Sequence, residues 1–264
     1  MVQQPIRFDD GKAYERGMGI WSHLAGQVFL DWLAPPLGLR WIDVGCGSGA
    51  FTELLVRRCA PAETQGIDPS DAQLAFAHTR PATHGVTFLQ GDAMALPFDG
   101  GRFDAAVMAL VIFFVPDPAK GVAEMARVVC PGGVVSAYAW DMLGGGFPFD
   151  PIQVELRALG FTPPLPPSPE ASRTAALRDL WTGAGLEDVE TREVTARRSF
   201  PDFEDFWSAS TAMGSMRPTL ATMAAGDVEQ LKARVRARLS EDAAGRVTYQ
   251  ARANAIKGRV PKSA

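Results

Sequence analysis

A short apolar run that leads into three alternating glycines constrains this chain more than any other feature. Residues 41–49 read Trp-Ile-Asp-Val-Gly-Cys-Gly-Ser-Gly, and an apolar helical pattern starts directly after them. Glycine lacks a Cβ atom, so its backbone adopts left-handed conformations and approaches a ligand closely. A strand, a glycine turn and a helix in this order predict a ligand site where the turn meets the start of the helix.

Strand and helix patterns alternate along the first half of the chain. The predicted strands are Trp41–Val44, Thr64–Ile67, Val86–Leu89, Phe103–Ala109 and Val134–Trp140. Apolar residues repeat at helical spacing over Trp21–Leu33, and Ser70 and Asp117 stand where helix N-caps are expected. This alternation predicts an α/β fold with a doubly wound, mostly parallel sheet.

Three aspartates stand next to the ends of these strands. Asp43 lies two residues before the first glycine, and Asp68 and Asp92 follow the next two strands. In open α/β sheets, ligands bind beyond the carboxyl ends of the strands. An acid about twenty residues after a glycine turn suits the two hydroxyls of a ribose. We therefore predict a cofactor that contains a nucleoside.

Charge distinguishes two kinds of nucleoside cofactor. The dinucleotide motif G-x-G-x-x-G/A is matched loosely by Gly45, Gly47 and Ala50, but a carboxylate at Asp43 would repel a pyrophosphate. S-adenosylmethionine (SAM) carries an ammonium and a sulfonium, and its carboxylate can bind N–H groups at the start of the following helix. The three acids favour SAM over NAD, and an NAD-dependent oxidoreductase is the alternative.

The motifs resemble those of class I SAM-dependent methyltransferases, in the small-molecule branch similar to quinone-biosynthesis methyltransferases. The resemblance covers about residues 14–139, with a weaker similarity at 249–260. Its motifs are Asp43–Gly49, Asp68–Ser70, Gly91–Ala93 with Leu96–Phe98, Phe103-Asp104 and Cys130–Gly133. The chain departs from the family at Phe113-Phe114, where two histidines are common, and at Ile20, where relatives often carry arginine.

The resemblance also implies how the whole chain is organised. We expect one domain over residues 1–264, built on a seven-stranded, Rossmann-like sheet with an antiparallel edge hairpin. A helical cover would occupy residues 1–34, and the SAM-binding core residues 35–199 and 246–260. The mostly helical segment 200–245 would be an insert between the last two strands and would act as a lid.

Individual cofactor-binding roles follow from the same resemblance. Asp68 would bind the ribose hydroxyls, Asp92 the adenine amino group and the Ala93 N–H the adenine ring, while the glycines line the methionyl end. The full predicted set is Asp43, Gly45, Cys46, Gly47, Gly49, Asp68, Pro69, Gln73, Asp92, Ala93, Ala109 and Leu110. A simpler interpretation is that each acid is only a turn or cap residue.

The predicted methyl acceptor is a small, partly apolar metabolite. Candidates for its pocket are Tyr14, Met18, Trp21, Trp140, Phe147, Trp207 and Met213, although single aromatic residues are more often core. A general base is needed only for a weakly acidic acceptor, and His23 and Asp141 are the candidates. A protein that binds SAM without turnover would keep the cofactor residues, and the sequence leaves this alternative open.

Composition narrows the possible partners. The net charge of −4 argues against nucleic acid and membrane surfaces as partners. Three scattered cysteines, Cys46, Cys59 and Cys130, predict neither a disulfide framework nor a metal site and favour a reducing, cytoplasmic environment. No signal peptide or membrane span is recognisable in the sequence. We expect a monomer or a homodimer.

Overall fold

A single seven-stranded sheet organises the chain. The computed structural model describes residues 15–212 and 216–262. Its strands are β1 (Arg40–Val44), β2 (Glu63–Asp68), β3 (Thr87–Gln90), β4 (Phe103–Ala109), β5 (Val129–Trp140), β6 (Glu187–Phe200) and β7 (Val247–Arg259). The five predicted strands of the first half all form, with ends that differ by a few residues.

The strand order is β3-β2-β1-β4-β5-β7-β6. Strands β1 to β5 are parallel to one another, whereas β7 runs antiparallel to both β5 and β6. The chain winds outward from β1 to β3 and then returns to start β4 on the other side of β1. This confirms the predicted mostly parallel, doubly wound sheet with an antiparallel edge, and it creates a switch point between β1 and β4.

Nine α-helices accompany the sheet in the described ranges. They are α1 (Ile20–Leu33), α2 (Ala50–Cys59), α3 (Asp71–Ala77), α4 (Pro118–Val128), α5 (Asp150–Ala158), α6 (Thr174–Gly183), α7 (Phe203–Thr211), α8 (Arg217–Ala221) and α9 (Ala225–Arg238). Both predicted N-caps are present: the Ser70 side chain accepts a hydrogen bond from the Gln73 N–H, and that of Asp117 accepts one from the Lys120 N–H. Helix α1 packs on α2, and α4 packs on α6.

Aromatic side chains fill the space between α1, α2 and the sheet. The ring of Phe29 lies 4.6 Å from that of Tyr138 and 6.1 Å from that of Phe51, measured between centroids. Trp41 and Ile42 of β1 are also fully buried, and as consecutive strand residues they face opposite sides of the sheet. Burial of several large rings in one cluster is a major source of stability, and it holds the carboxyl ends of β1, β4 and β5 in a fixed arrangement.

Helix α5 was not predicted from the sequence. It starts at Asp150-Pro151, between the glycines at 144–146 and the proline-rich segment 161–169, so its surroundings resemble a continuous loop. Its apolar stripe is short, with Ile152 and Leu156 one turn apart and both fully buried. Two of the three glycines serve the turn before it, because a Cβ on Gly144 or Gly146 would collide with Asp141 or with the Arg252 carbonyl.

The described residues of the segment 200–245 are mostly helical, as the pattern predicted, and form α7, α8 and α9. Helix α9 packs on α5, where the buried carboxylate of Glu155 binds Arg234 and Arg238. The buried residues of α9 are Leu231 and Val235, and its basic side chains flank them. None of the helices in the described ranges has the length and apolar character needed to cross a bilayer.

Candidate cofactor site

Three glycines in left-handed conformations shape the turn after β1. The φ angles are +77° at Gly45, +51° at Gly47 and +75° at Gly49. A Cβ built on Gly45 would lie 2.4 Å from Cγ1 of Val111, whereas one on Gly47 would meet no atom within 4 Å. Gly45 is therefore required by close packing as well as by its φ angle, and Gly47 leaves open space above the turn.

Asp68 at the end of β2 is tied to this turn by its carboxylate. One oxygen accepts a hydrogen bond from the Gly47 N–H at 2.9 Å, and the other accepts one from the Ser70 N–H at 2.9 Å. Burial raises the pKa of Asp68, and the two backbone hydrogen bonds oppose that rise. The carboxylate is held rigidly at the cleft, and each oxygen retains a lone pair for a ligand hydroxyl.

Asp43 lies at the end of β1 and is fully buried. One of its oxygens accepts a hydrogen bond from the Thr52 hydroxyl at 2.6 Å, and Oδ1 has no partner within the described residues. Burial, together with the nearby Asp68 carboxylate, raises the pKa of Asp43 to about 7, although the Thr52 hydrogen bond opposes this. A cationic ligand group beside Asp43 would favour the charged form of the carboxylate and so lower its pKa.

The ends of β3 and β4 form the opposite wall. Asp92 follows β3, is exposed, and accepts a hydrogen bond from the Met94 N–H at 2.8 Å. Leu110 follows β4 with a φ of +65°, a conformation rare for leucine, and its N–H donates to the Tyr138 carbonyl at 2.8 Å. Such strain is a feature of functional sites in many proteins, and Leu110 is part of the cleft lining.

Together these strand ends enclose a cleft of about 580 Å³, a size typical of small-molecule sites. The charged residues among its described lining are Asp43, Asp68 and Asp92, and none of that lining is lysine, arginine or histidine. Arg80 lies close behind the glycine turn, but its guanidinium donates to the Ser48 carbonyl at 2.6 Å and pairs with a glutamate on α2. The cleft is therefore electrostatically negative.

Eleven of the twelve predicted cofactor-binding residues line this cleft. They are Asp43, Gly45, Cys46, Gly47, Asp68, Pro69, Gln73, Asp92, Ala93, Ala109 and Leu110. Gly49 does not line the cleft. It is the N-cap of α2, and a Cβ built on it would lie 3.1 Å from the Cβ of Ala77 on α3. Gly49 is thus explained by helix geometry and helix–helix packing, because its φ of +75° is costly for other residues.

The described members of the predicted acceptor set do not line the cleft. Trp21 and Trp140 are fully buried with their rings edge to face at 6.4 Å, and Met18 and Phe147 are also buried. Trp207 is half-buried and stacks on Phe203 of its own helix. Tyr14 and Met213 lie outside the described residues. The described members of this set therefore pack as core, which was the simpler interpretation of single aromatic residues.

Neither predicted general base reaches the cleft. His23 is exposed on α1, because the buried face of that helix is occupied by apolar residues, and its imidazole is hydrogen-bonded to Gln27 at 3.0 Å. Asp141 forms an ion pair with Arg252 at 2.6 Å and accepts a hydrogen bond from the Gly144 N–H. Its carboxylate is therefore occupied by an arginine and a backbone N–H, and it is not part of the cleft lining.

Sequence reasoning missed several residues that line the cleft. Ser22 of α1, Phe114 after β4 and Tyr138 of β5 all contribute to it. Tyr138 could have been found, because alternate residues of a strand share a face and β5 ends beside β4 at the switch point. Ser22 carries no comparable signal, since it reaches the cleft only through the packing of α1.

Comparison with known proteins bears directly on this region. The family model described as a methyltransferase domain matches residues 42–137. A chloroplastic 2-methyl-6-phytyl-1,4-hydroquinone methyltransferase 2 from Oryza sativa subsp. japonica is 43% identical over 96 residues, which are 36% of this chain and 28% of that protein. A demethylmenaquinone methyltransferase from Thermus thermophilus is 38% identical over 96 residues, 36% of this chain and 44% of that protein. The chain thus matches less than half the length of these relatives.

A solved structure extends the likeness to nearly the whole chain. Phosphoethanolamine N-methyltransferase 2 from Haemonchus contortus, in complex with S-adenosyl-L-methionine, aligns with a TM-score of 0.60 over 97% of this chain and 58% of that one. The sequences are 18% identical over this alignment, so the likeness is one of fold. The local sequence matches and the nearly full-length structural match both include the part of the sheet that carries the cleft.

Proposed function

We propose that this chain, whose residues 42–137 form a class I SAM-dependent methyltransferase domain, binds SAM in the cleft and transfers its methyl group to a small, partly apolar metabolite. The observation that carries the proposal is the charge of the cleft. Its described lining contributes three carboxylates and no basic side chain. A cofactor with a permanent sulfonium and an ammonium matches that charge, and a dinucleotide pyrophosphate opposes it.

The residues fit this cofactor at both of its ends. Asp68, whose two oxygens each keep a lone pair, would bind the ribose hydroxyls, and Asp92 with the Ala93 N–H would bind the adenine. Asp43 would face the ammonium through its unpartnered Oδ1. The first N–H groups of α2, at Ala50 and Phe51, lie in the cleft lining and would bind the cofactor carboxylate. When bound, SAM supplies an electrophilic methyl group and a neutral thioether as leaving group.

The chain's own contribution is alignment and the exclusion of water. Leu110, Val111 and Phe114 give the β4 side of the cleft an apolar wall, and Tyr138 extends it to β5. An apolar wall removes water from the acceptor, and a fixed wall orients it toward the methyl group. We infer a partly apolar acceptor from this surface. The quinone-related names of the relatives support that inference.

The roles of the flanking segments are also proposals. Helix α1 of the N-terminal cover contributes Ser22 to the cleft, in keeping with an acceptor-side role for that segment. No described residue of the insert 200–245 lines the cleft, and α7 contacts β6 and the π-helical turn Glu15–Gly19 instead. We infer that the insert would be a lid over the acceptor side of the site, and that α1 would lie between the insert and the cofactor cleft.

A second candidate is a protein that binds SAM without methyl transfer. It is favoured by one observation: Trp21, Trp140 and Phe147, which were candidates for an acceptor pocket, are buried in the hydrophobic core instead of lining the cleft. In this case the cofactor half of the site would function and the acceptor half would be filled.

Incubation of the purified chain with methyl-labelled SAM and a panel of small phenols, quinols and amines tests the proposal. Methyl transfer is expected to appear as labelled product together with an equal amount of S-adenosylhomocysteine (SAH). Tight SAM binding without SAH formation in any mixture would favour the second candidate. A failure to bind SAM at all would contradict both.

A further inference from the structure

The carboxylate of Asp43 is shared between the protein interior and the cleft. Asp43 lines the cleft, yet its side chain has no exposed surface. Its Oδ2 accepts a hydrogen bond from the Thr52 hydroxyl at 2.6 Å, and its Oδ1 accepts no hydrogen bond from the described residues. A buried carboxylate oxygen without a donor is rare and calls for an explanation, and a ligand group in the cleft provides one.

Thr52 is placed so that it acts only through Asp43. It is the third residue of α2 and is fully buried, and it is absent from the cleft lining. Its neighbour Phe51 does line the cleft, while Glu53 pairs with Arg57 and Arg80 on the other side of the helix. The hydroxyl of Thr52 therefore touches the carboxylate from behind and cannot touch a ligand in the cleft.

We propose that Thr52 is a positioning residue for the cofactor, because its hydroxyl occupies one oxygen of Asp43 and thereby fixes the other, Oδ1, as the acceptor for the ammonium of the amino-acid end. The 2.6 Å O···O distance is in the range of a charge-assisted bond to an ionised carboxylate. Thr52 thus keeps Asp43 in the charged form that binds a cation. This inference rests on the proposed function and assigns one residue within it.

The surroundings of Asp43 disfavour its charged form, so that form depends on the hydrogen bond from Thr52. On the two neighbouring strands, the residues opposite it are Gly66 and Val107, which carry no charge. The titratable groups close to it are Asp68 at the end of β2 and the Cys46 thiol in the glycine turn. Burial and the Asp68 carboxylate raise the pKa of Asp43 to about 7, whereas the Cys46 thiol stays neutral because burial raises its own pKa. Thr52 is the group that opposes this rise.

The affinity for the cofactor should consequently depend on the protonation state of Asp43. Below about pH 7, Asp43 of the free protein is protonated and must lose its proton before it accepts an ammonium, so affinity falls by about tenfold per pH unit. At alkaline pH, the α-amino group of the ligand itself loses its proton. The affinity for SAH is therefore expected to have an acid limb set by Asp43 and an alkaline limb set by the ligand.

The test measures SAH affinity by calorimetry from pH 5.5 to 9 for the wild type, Thr52→Val and Thr52→Ser. Valine keeps the shape of threonine and removes the hydroxyl, whereas serine keeps the hydroxyl. The acid limb of Thr52→Val should move up by about one pH unit, so that SAH binds about tenfold more weakly at pH 6.5. The acid limb of Thr52→Ser should match that of the wild type, and the alkaline limb should be the same in all three proteins.

A second ligand separates positioning from general structural damage. 5′-Methylthioadenosine has the nucleoside and thioether of SAH but lacks the amino-acid end, and its affinity should be the same in the wild type and Thr52→Val. An unchanged acid limb in Thr52→Val, an equal shift in Thr52→Ser or an equal loss of methylthioadenosine affinity would each overturn the inference. A wild type that binds neither SAM nor SAH at any pH would instead overturn the proposed function.

Discussion

The carboxylates near the carboxyl ends of the strands have different partners on the two sides of the sheet. On the side of β1, β2 and β3, the carboxylates of Asp43 and Asp68 lie at strand ends and keep oxygens available to the cleft. On the side of β5, β7 and β6, carboxylates are bound by arginines: Asp141 by Arg252, and Glu155 by Arg234 and Arg238.

This difference indicates that the two sides of the sheet have different roles, one in ligand binding and the other in stability. Carboxylates without counter-ions are costly unless a ligand neutralises them, so the first side is built around a charged ligand. Paired carboxylates have no such need, and the second side uses them to attach loops and helices. Substitutions on the first side should mainly change ligand binding, and those on the second side should mainly change stability.

The largest effect is expected from Asp68→Ala. The substitution removes the acceptor of two backbone N–H groups and the proposed partner of the ribose, so SAH affinity should fall by about 1000-fold. Isothermal titration calorimetry measures the change. Asp141→Asn, on the other side of the sheet, is the matched control and should change the affinity by less than about twofold. Equal losses in both variants would break the contrast between the two sides.

Gly45→Ala should combine strain with a collision. Its φ of +77° costs an alanine about 1–2 kcal/mol, and the new Cβ would lie 2.4 Å from Val111. We expect the free energy of unfolding to fall by about 3 kcal/mol in urea denaturation. Gly38→Ala isolates the first term, because Gly38 has a φ of +75° and no atom within 4 Å of a built Cβ. A similar loss in the two variants would show that close packing at the turn is unimportant.

Asp43→Asn should stabilise the protein while it weakens cofactor binding. The pKa of Asp43 in the folded chain is about 7, above its ordinary value of 3.8, so the wild type loses stability as pH rises between these two values. Asparagine carries no charge and removes that loss. The free energy of unfolding at pH 8 should rise by about 2 kcal/mol and should be unchanged at pH 4. An equal change at both pH values would mean that Asp43 is not the titrating group.

Glu155→Gln should have a smaller effect, on stability alone. The buried carboxylate of Glu155 holds two arginines of α9 on α5, although both arginines are about half exposed. Solvent therefore screens the loss, and we expect the free energy of unfolding to fall by about 1 kcal/mol. SAH affinity should stay within about twofold of the wild type. A large loss of SAH affinity would extend the cofactor site to the insert.

His23→Ala should have the smallest effect. The side chain is exposed and bonded to Gln27 on the same helix, so both SAH affinity and the free energy of unfolding should remain within about 0.5 kcal/mol of the wild type. Once an acceptor has been found, its rate of methylation by this variant checks the base role that the sequence suggested. A hundredfold loss of that rate would return His23 to the site.

The cofactor side could be predicted from sequence because its signals are local. A glycine turn, a strand-end aspartate and an N-cap each act within a few residues, and Asp43, Asp68 and Asp92 all reach the cleft. Gly49 was assigned to the ligand because its local pattern is the same whether it faces a cofactor or Ala77 of another helix.

The acceptor side could not be predicted in the same way. Trp21 and Trp140 are far apart in the chain and meet through the packing of α1 on the sheet, which no local pattern specifies. Helix α5 was missed because its short apolar stripe lies between glycines and prolines. Tertiary packing decides these residues' positions, whereas backbone conformation decides those of the glycine turn.

The most direct test compares the affinities of SAM, SAH and NAD for the purified chain by calorimetry at pH 7.5 and low salt. A cleft with three carboxylates and no basic residue in its described lining should bind SAM and SAH and should reject NAD, whose pyrophosphate it repels. NAD bound as tightly as SAM, or SAM not bound at all, would contradict the assignment of this cleft to a cationic methyl donor.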